Sequence, residues 1–256
     1  MRRDFIKSNV AAVCMAVLAA GMAASGPAEA DDPNSPAHAE QTKFWSMARG
    51  GQLYDNWAEV LEVKLPSETH PSYPATGKQK GGTTWRCKEC HGWDYRGVDG
   101  AYATGSHFTG IKGIRGMANA DPASIVKVIR DKTHGYTPAM LSDSAVEKLA
   151  LFVSLGQIDD DLFIDRKTRK ANGDAAHGAP LFQTICAVCH NFEGKALNFG
   201  SEADPEFVGT VAVENPWEFL HKARFGQPGV AMVGLVALDL QNVVDILTYA
   251  QTLPEK

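Results

Sequence analysis

Cysteine is scarce in this sequence, which has five among 256 residues. Cys14 lies in an N-terminal segment that we expect to be removed, and the other four all lie in two short motifs. Outside those motifs no cysteine remains for the disulfide framework that stabilises many small exported proteins. The four remaining cysteines therefore indicate a chemical function at the two motifs, not a disulfide framework.

Positive charge is not in excess either. The chain has 25 Lys and Arg against 30 Asp and Glu, a formal net charge of −5. Nucleic-acid binding depends on basic side chains that neutralise phosphates, and an anionic membrane surface attracts polybasic tracts, of which the sequence has none. No Ser/His/Asp set, phosphate-binding glycine loop or pair of catalytic carboxylates stands out. We expect neither nucleic acid nor an anionic membrane surface as a partner.

Long hydrophobic runs are limited to the N-terminus, where residues 1–30 are typical of an export signal. Three basic residues precede an apolar run at residues 10–24, and a small-x-small cleavage site ends at Ala30. The run is about fifteen residues long, shorter than the roughly 20 that a membrane-spanning helix needs. We therefore predict a periplasmic protein, cleaved after about Ala30, with no transmembrane segment in the mature chain.

Two copies of a C-x-x-C-H pentapeptide are the strongest signal in the sequence. Residues 87–91 are Cys-Lys-Glu-Cys-His, and residues 186–190 are Cys-Ala-Val-Cys-His. This pattern is typical of a c-type haem attachment site. A zinc site or local disulfides are the alternatives, but zinc does not explain why a histidine directly follows each second cysteine.

The spacing of the motif has a physical basis in one turn of helix. Residues i and i+3 face the same way, so Cys87 and Cys90 can each form a thioether with a haem vinyl group. His91 then presents its imidazole to the iron as the proximal ligand. We predict two covalently attached haem c groups. The same roles in the second motif fall to Cys186, Cys189 and His190.

Features around the motifs recur in the same order, which indicates a tandem duplication. Before each motif a glycine and an aromatic residue are spaced i, i+4 and share one helix face, as Gly50 and Tyr54 and as Gly178 and Phe182. After each motif we expect a proline-started helix and then an amphipathic closing helix. These helices are predicted at residues 123–132 and 141–155 in the first half, and at residues 217–225 and 238–253 in the second.

These recurring residues resemble class I c-type cytochromes, over residues 50–155 and 173–254. The resemblance implies an all-α fold of two tandem cytochrome c-like domains, each wrapped around one covalently bound haem. We place domain 1 at residues 31–157, a linker at residues 158–173 and domain 2 at residues 174–256.

Two segments stand outside the repeat. Residues 63–84 are rich in Pro, Gly, Ser, Thr and Lys, and we interpret them as a loop insertion that either docks a partner or wraps over the neighbouring domain. The linker contains Ile158, Leu162, Phe163 and Ile164. These side chains are too apolar for a free tether, so we expect the linker to pack on a domain and hold the two haems in a fixed relation.

The distal ligand of each iron decides the function, because a soft thioether raises the reduction potential whereas an exchangeable ligand suits catalysis. In the resembled family an axial methionine lies just before the closing helix, where this chain has Met140 and Met232. We predict these two as the distal ligands. The alternatives are Met117, His107 and His134 in the first half and His221 in the second.

Other residues near the motifs have secondary roles in this interpretation. Trp85 and Trp93 bracket the first motif and are expected to pack against the porphyrin. Arg86 or Lys88 could pair with a haem propionate. The histidines expected to face solvent are His38, His70 and His177.

The resemblance implies a dihaem cytochrome that transfers single electrons between redox protein partners in a respiratory or oxidative chain. We expect an electron carrier rather than an enzyme. Its partners would be donor and acceptor cytochromes or oxidoreductases.

Two alternatives remain open. A haem-containing oxidoreductase could resemble dihaem thiosulfate dehydrogenases, which use a distal cysteine that this chain cannot spare, or dihaem peroxidases, which are usually longer and need a haem open to peroxide.

The segment after Met1 also resembles a twin-arginine export signal, at Arg2 and Arg3. That route exports folded proteins, whereas c-type haem is attached outside the cytoplasm. Export with a folded partner would make the chain the haem subunit of a larger complex.

Overall fold

The computed structural model describes residues 36–256, with side chains from residue 39 onward. The predicted export signal at residues 1–30 and the side chain of His38 lie outside the described residues. Within residues 36–256, no helix is long and apolar enough to cross a membrane.

Helices make up the regular structure of the described residues, which form no β-strand and only isolated bridges. The all-α prediction is confirmed for this part of the chain. Short 3₁₀ turns lie at Gly81–Trp85, Arg115–Met117 and Asp160–Leu162, and π-helical turns at Phe152–Gly156 and Phe182–Cys186. The helices are α1 (Pro36–Leu61), α2 (Cys87–His91), α3 (Pro122–Ile129), α4 (Asp143–Leu151), α5 (Ala175–Leu181), α6 (Ala187–His190), α7 (Val208–Glu214), α8 (Pro216–Phe225) and α9 (Leu240–Ala250).

The two proline-started helices begin as predicted, at α3 and α8. The Asp121 side chain accepts a hydrogen bond from the Ala123 N–H at 3.1 Å, so that it caps the free N–H groups of the first turn. Asn215 caps α8 in the same way by accepting from the Glu218 N–H at 3.4 Å. Helix α3 ends at Ile129, earlier than predicted, and a turn follows in which Asp131 accepts backbone hydrogen bonds.

Each half contains a glycine helix that crosses its closing helix in direct contact. A Cβ on Gly50 would overlap the carbonyl oxygen of Lys148 on α4. A Cβ on Gly178 would overlap the carbonyl oxygen of Asp245 on α9. Lys148 and Asp245 are ninety-seven residues apart in sequence. The repeat seen in the sequence therefore extends to the backbone contacts between helices.

The aromatic partners of these glycines repeat as well. The ring of Tyr54 on α1 packs on Phe152, with ring centroids 5.4 Å apart. The ring of Phe182 packs on Tyr249 of α9 at 5.5 Å. Phe152 and Tyr249 are again ninety-seven residues apart. Each helix crossing therefore includes an aromatic pair, and the two pairs lie at equivalent positions of the two halves.

A buried histidine joins the two halves, which belong to one compact unit at Lys43–Lys256. His221 on α8 is fully buried, and its Nε2 donates to the Gly51 carbonyl oxygen at 3.0 Å. Its Nδ1 therefore accepts from the Tyr95 hydroxyl at 2.7 Å. Burial lowers the pKa of His221 to about 4, so the ring is neutral at pH 7.

A buried carboxylate lies beside this histidine. The fully buried Asp55 on α1 is paired with Lys222 of α8, at 2.8 Å from Nζ to Oδ2, and with the Arg86 guanidinium. Burial alone would raise the pKa of Asp55, but Lys222 and Arg86 together lower it below its ordinary value. The charged network contributes to fixing α1 against α8.

The predicted linker packs on the rest of the chain through three of its four apolar residues. Ile158 and Ile164 are buried and Phe163 is half-buried, whereas Leu162 is exposed. The domain boundaries at residues 31–157, 158–173 and 174–256 stay predictions.

Candidate functional site

An apolar cavity of about 310 Å³ lies beside the first C-x-x-C-H motif. Residues 87–91 form the short helix α2, which places Cys87, Cys90 and His91 together at the cavity. Helices α3 and α4 and the π-helical turn after α4 supply one wall. Apolar residues of that wall are Ile125, Val128, Ile129, Leu149 and Val153.

His91 is oriented by a backbone carbonyl on one side. Its Nδ1 donates to the Lys112 carbonyl oxygen at 2.7 Å, which leaves the Nε2 lone pair free for a ligand. Burial lowers the pKa of His91 to about 4, so the imidazole is neutral at pH 7. A neutral imidazole held through its other nitrogen is the arrangement typical of a metal-ligating histidine.

The two cysteines of this motif are present as protonated thiols. Neither is in a disulfide, and burial raises the pKa of Cys87 and of Cys90 to about 12. Thiolates are the form in which cysteine acts as a nucleophile. Among the described residues, no three His, Cys, Asp or Glu side chains are gathered around a metal-sized site. The described geometry gives no support to a zinc site built from both motifs.

The second motif lies on an open apolar surface. Cys186 ends the π-helical turn before α6, and Cys189 is exposed. Nδ1 of His190 is buried and has no hydrogen-bond partner in the described structure, which is uncommon for a buried polar atom. Several large apolar side chains around the motif face solvent, and we call them the second-motif surface. Its members are Ile185, Val188, Phe192, Leu197 and Phe199.

The predicted distal methionines both lie in turns. Met140 is half-buried before α4, and its N–H donates to the Thr137 carbonyl oxygen at 3.0 Å. Met232 is half-buried, and its N–H donates to the Val230 carbonyl oxygen at 2.9 Å. The residues that line the first cavity include Met117 but not Met140. Both distal assignments stay predictions.

The alternative histidine ligands lie in three different places. His107 stacks on Tyr102 with ring centroids 4.8 Å apart, and its Nδ1 lies 2.9 Å from a Glu89 carboxylate oxygen. His221 is occupied by its two hydrogen bonds between the halves. His134 is the one of the three that lines the first cavity.

His70 was expected to face solvent, and this prediction is wrong. Its side chain is buried, with 8% of the residue exposed, and it lines the first cavity. Its Nε2 donates to the His134 carbonyl oxygen at 2.8 Å, and its ring packs on Trp85 at 4.3 Å. The polar sequence around His70 gives no signal for this position, because the partner lies 64 residues away.

The 63–84 loop contacts the first half through His70 and its neighbours. The Ser72 hydroxyl donates to the Thr133 carbonyl oxygen at 2.5 Å, and the His70 Nε2 donates to the His134 carbonyl oxygen at 2.8 Å. These contacts hold the loop against the turn that carries His134. Neither of the two roles proposed from the sequence, docking or covering the neighbouring domain, included this contact.

The expected haem-contacting side chains have protein partners of their own. Trp93 is buried between the ammonium groups of Lys88 and Lys222, which lie 5.0 and 5.1 Å from its ring centroid. Lys88 forms an ion pair with Glu89. Arg86 lines the cavity but is paired with Asp55.

Comparison of the chain with protein-family models, with curated proteins and with solved structures found no match. The interpretation of the site therefore depends on the residues and their geometry.

Proposed function

We propose that this chain is an exported, periplasmic dihaem c-type cytochrome that transfers single electrons between redox protein partners. The observation that carries the proposal is the apolar cavity at the first motif, which brings Cys87, Cys90 and His91 together. The hydrogen bond from His91 Nδ1 to the Lys112 carbonyl leaves Nε2 as the free nitrogen. A bound haem would supply a reversible one-electron ferric/ferrous couple there.

The residues present fit a haem at each motif. In the first half, the thiols of Cys87 and Cys90 would carry it, and the isoleucine, leucine and valine walls would exclude water. In the second half, the second-motif surface would lose its solvent exposure beneath a bound haem, which is favourable for apolar area. The residues that would hold the second haem are Cys186, Cys189 and His190.

The rigid framework around the motifs supports electron transfer. The charge of a carrier changes by one at each step, and a rigid protein rearranges little when this happens. The first and second halves are joined by the buried His221 and by the Asp55 ion pairs. Such contacts would keep the two proposed haems at a fixed separation. Donor and acceptor would be other cytochromes or oxidoreductases, and the chain could serve as the haem subunit of a larger complex.

An oxidoreductase is the second candidate, favoured by one observation. Nδ1 of His190 has no hydrogen-bond partner in the described structure, whereas Nδ1 of His91 bonds the Lys112 carbonyl, so the two proposed haem sites differ and the second could have a catalytic role. Steady-state turnover with thiosulfate or with peroxide, measured with an artificial electron partner, distinguishes an enzyme from a carrier. Turnover that depends on His190 would favour the enzyme.

The test of the proposed function is to produce the full chain, including its signal, in a bacterial host with c-type haem maturation. We expect the mass of the purified protein to include two covalent haems and a redox titration to resolve two one-electron steps. The paired variant Cys87→Ser/Cys90→Ser and the matched variant Cys186→Ser/Cys189→Ser should each retain one haem. A purified wild-type protein with no covalent haem would contradict the proposal.

A further inference from the structure

His134 lines the first cavity together with His91. The two imidazole centroids are 6.2 Å apart, and the ring planes differ by 26°. An imidazole nitrogen lies about 2 Å from a bound metal, so two imidazoles on opposite sides of one ion have centroids roughly 6 Å apart. The observed separation therefore matches two histidines that share one ion.

Both imidazoles are held through Nδ1, which leaves both Nε2 atoms as the free nitrogens. Nδ1 of His134 lies 3.2 Å from the Asp131 carboxylate, to which it donates. Nδ1 of His91 donates to the Lys112 carbonyl. A carboxylate or carbonyl that accepts from the second ring nitrogen is the usual partner of a metal-ligating histidine, because it fixes the tautomer and the ring orientation.

The turn that carries His134 is fixed from two sides. Within the turn, the Asp131 carboxylate also accepts from the backbone N–H groups of Thr133 and His134, each at 2.9 Å. From the 63–84 loop, His70 donates to the His134 carbonyl and Ser72 donates to the Thr133 carbonyl. These four hydrogen bonds, together with the bond from Nδ1 to Asp131, support the position of His134.

The methionines of this half are less well placed for the same role. Met140 is not among the residues that line the cavity. Met117 lines it, but follows Lys112 in the segment that contacts His91 from its Nδ1 side. A second ligand to the iron has to approach the free Nε2 of His91, and His134 lines the cavity without belonging to the segment that Nδ1 contacts.

We infer that His134, rather than Met140, binds the iron opposite His91, an inference that rests on the proposed haem at residues 87–91. The first haem would then have two histidine ligands, and the second would have a histidine and Met232. A thioether ligand raises the reduction potential relative to an imidazole. The two haems would therefore differ in potential, with the first haem the lower.

The experiment uses the oxidised, haem-loaded full chain and its magnetic resonance and absorption spectra. Wild type should show two low-spin ferric signals, one of them typical of two imidazole ligands. In His134→Ala, that signal should disappear and one haem should become high-spin or acquire a methionine. Added imidazole should restore the bis-imidazole signal.

The conservative variant His134→Met keeps an iron ligand at residue 134. It provides a second test of the inference if His134→Ala does not fold. It should gain one sulfur-to-iron charge-transfer band over wild type and raise the potential of one haem. Met140→Leu is the opposing arm of the test, because it removes the rival thioether; if His134 is the ligand, both low-spin signals should remain. The matched control is His107→Ala, which removes a histidine of the same half that contacts Glu89.

The opposite result would be a high-spin haem and a lost charge-transfer band in Met140→Leu, with no change in His134→Ala. That result would overturn the inference about His134, while two covalent haems would still support the proposed function. A protein without covalent haem would overturn both.

Discussion

Gly178 on α5 lies so close to the backbone of Asp245 on α9 that no side chain fits between them. A Cβ on Gly178 would overlap the Asp245 carbonyl oxygen and carbonyl carbon. Backbone atoms cannot rotate away as the end of a flexible side chain can. The crossing of α5 on α9 therefore depends on glycine at this position.

We expect Gly178→Ala to lower the free energy of unfolding by roughly 1–3 kcal/mol, the usual cost of inserting a methyl group where there is no space. Denaturant unfolding of the haem-loaded protein, followed by helical circular dichroism, measures the change. Gly116→Ala is the matched control, because a Cβ on Gly116 meets no atom within 4 Å. Equal stability of the two variants would show that α5 and α9 can separate at little cost.

The elements that depend on near neighbours in sequence could be predicted. The capping residues Asp121 and Asn215 and the prolines after them mark the starts of α3 and α8, because a cap acts on N–H groups two or three residues away. The i, i+4 spacing of Gly178 and Phe182 also predicted that they share one helix face, although not that this face crosses α9.

The residues that the sequence could not place depend on distant partners. His70 was predicted to face solvent, but its partner His134 is brought to it by the fold. His221 was an alternative distal ligand in the sequence analysis, but it bonds Tyr95 and Gly51, which lie 126 and 170 residues away. Periodicity reports which face of a helix is apolar, but it does not report which two distant polar groups meet.

The buried Asp55 allows a test of how α1 is held on α8. Asp55→Asn removes the charge that Lys222 and Arg86 share, and both cations are only partly exposed. Breaking a buried pair by removing one partner costs about 3–5 kcal/mol. We expect the low end of that range, because solvent reaches the cations and screens the unpaired charge.

Asp143→Asn is the control for this measurement. Asp143 pairs with Arg130 at 2.9 Å, but 85% of the Asp143 side chain is exposed. Exposed ion pairs contribute at most about 1 kcal/mol, so chemical denaturation should show a clearly smaller loss than for Asp55→Asn. A loss at Asp55 no larger than at Asp143 would contradict a stabilising role for the buried network.

The neutral His221 predicts a loss of stability in acid. Its pKa in the folded protein is about 4 because of burial, below the ordinary value of about 6.5. As the pH falls from about 6.5 to 4, the unfolded chain binds a proton that the folded protein does not, so the free energy of unfolding decreases by up to roughly 3 kcal/mol. Below the folded pKa this contribution levels off.

His221→Gln should reduce that dependence on pH. The glutamine amide can still donate to the Gly51 carbonyl and accept from the Tyr95 hydroxyl, but it does not titrate. Urea unfolding at a series of pH values from 7 to 4 gives the difference between wild type and variant. Parallel curves for the two proteins over this range would show that His221 is not the group responsible.

The different surroundings of the two motifs predict different behaviour when haem is missing. The first motif opens on a cavity enclosed by α3 and α4, whereas the second-motif surface faces solvent, with Val188 and Phe192 81% and 69% exposed. A protein without the second haem should therefore expose a larger contiguous apolar area than one without the first. We expect a hydrophobic fluorescent dye to bind more strongly to Cys186→Ser/Cys189→Ser than to Cys87→Ser/Cys90→Ser.

The wild-type protein with both haems sets the baseline, and circular dichroism checks that each variant keeps its helices. Equal dye fluorescence from the two folded variants would mean that haem does not cover the second-motif surface.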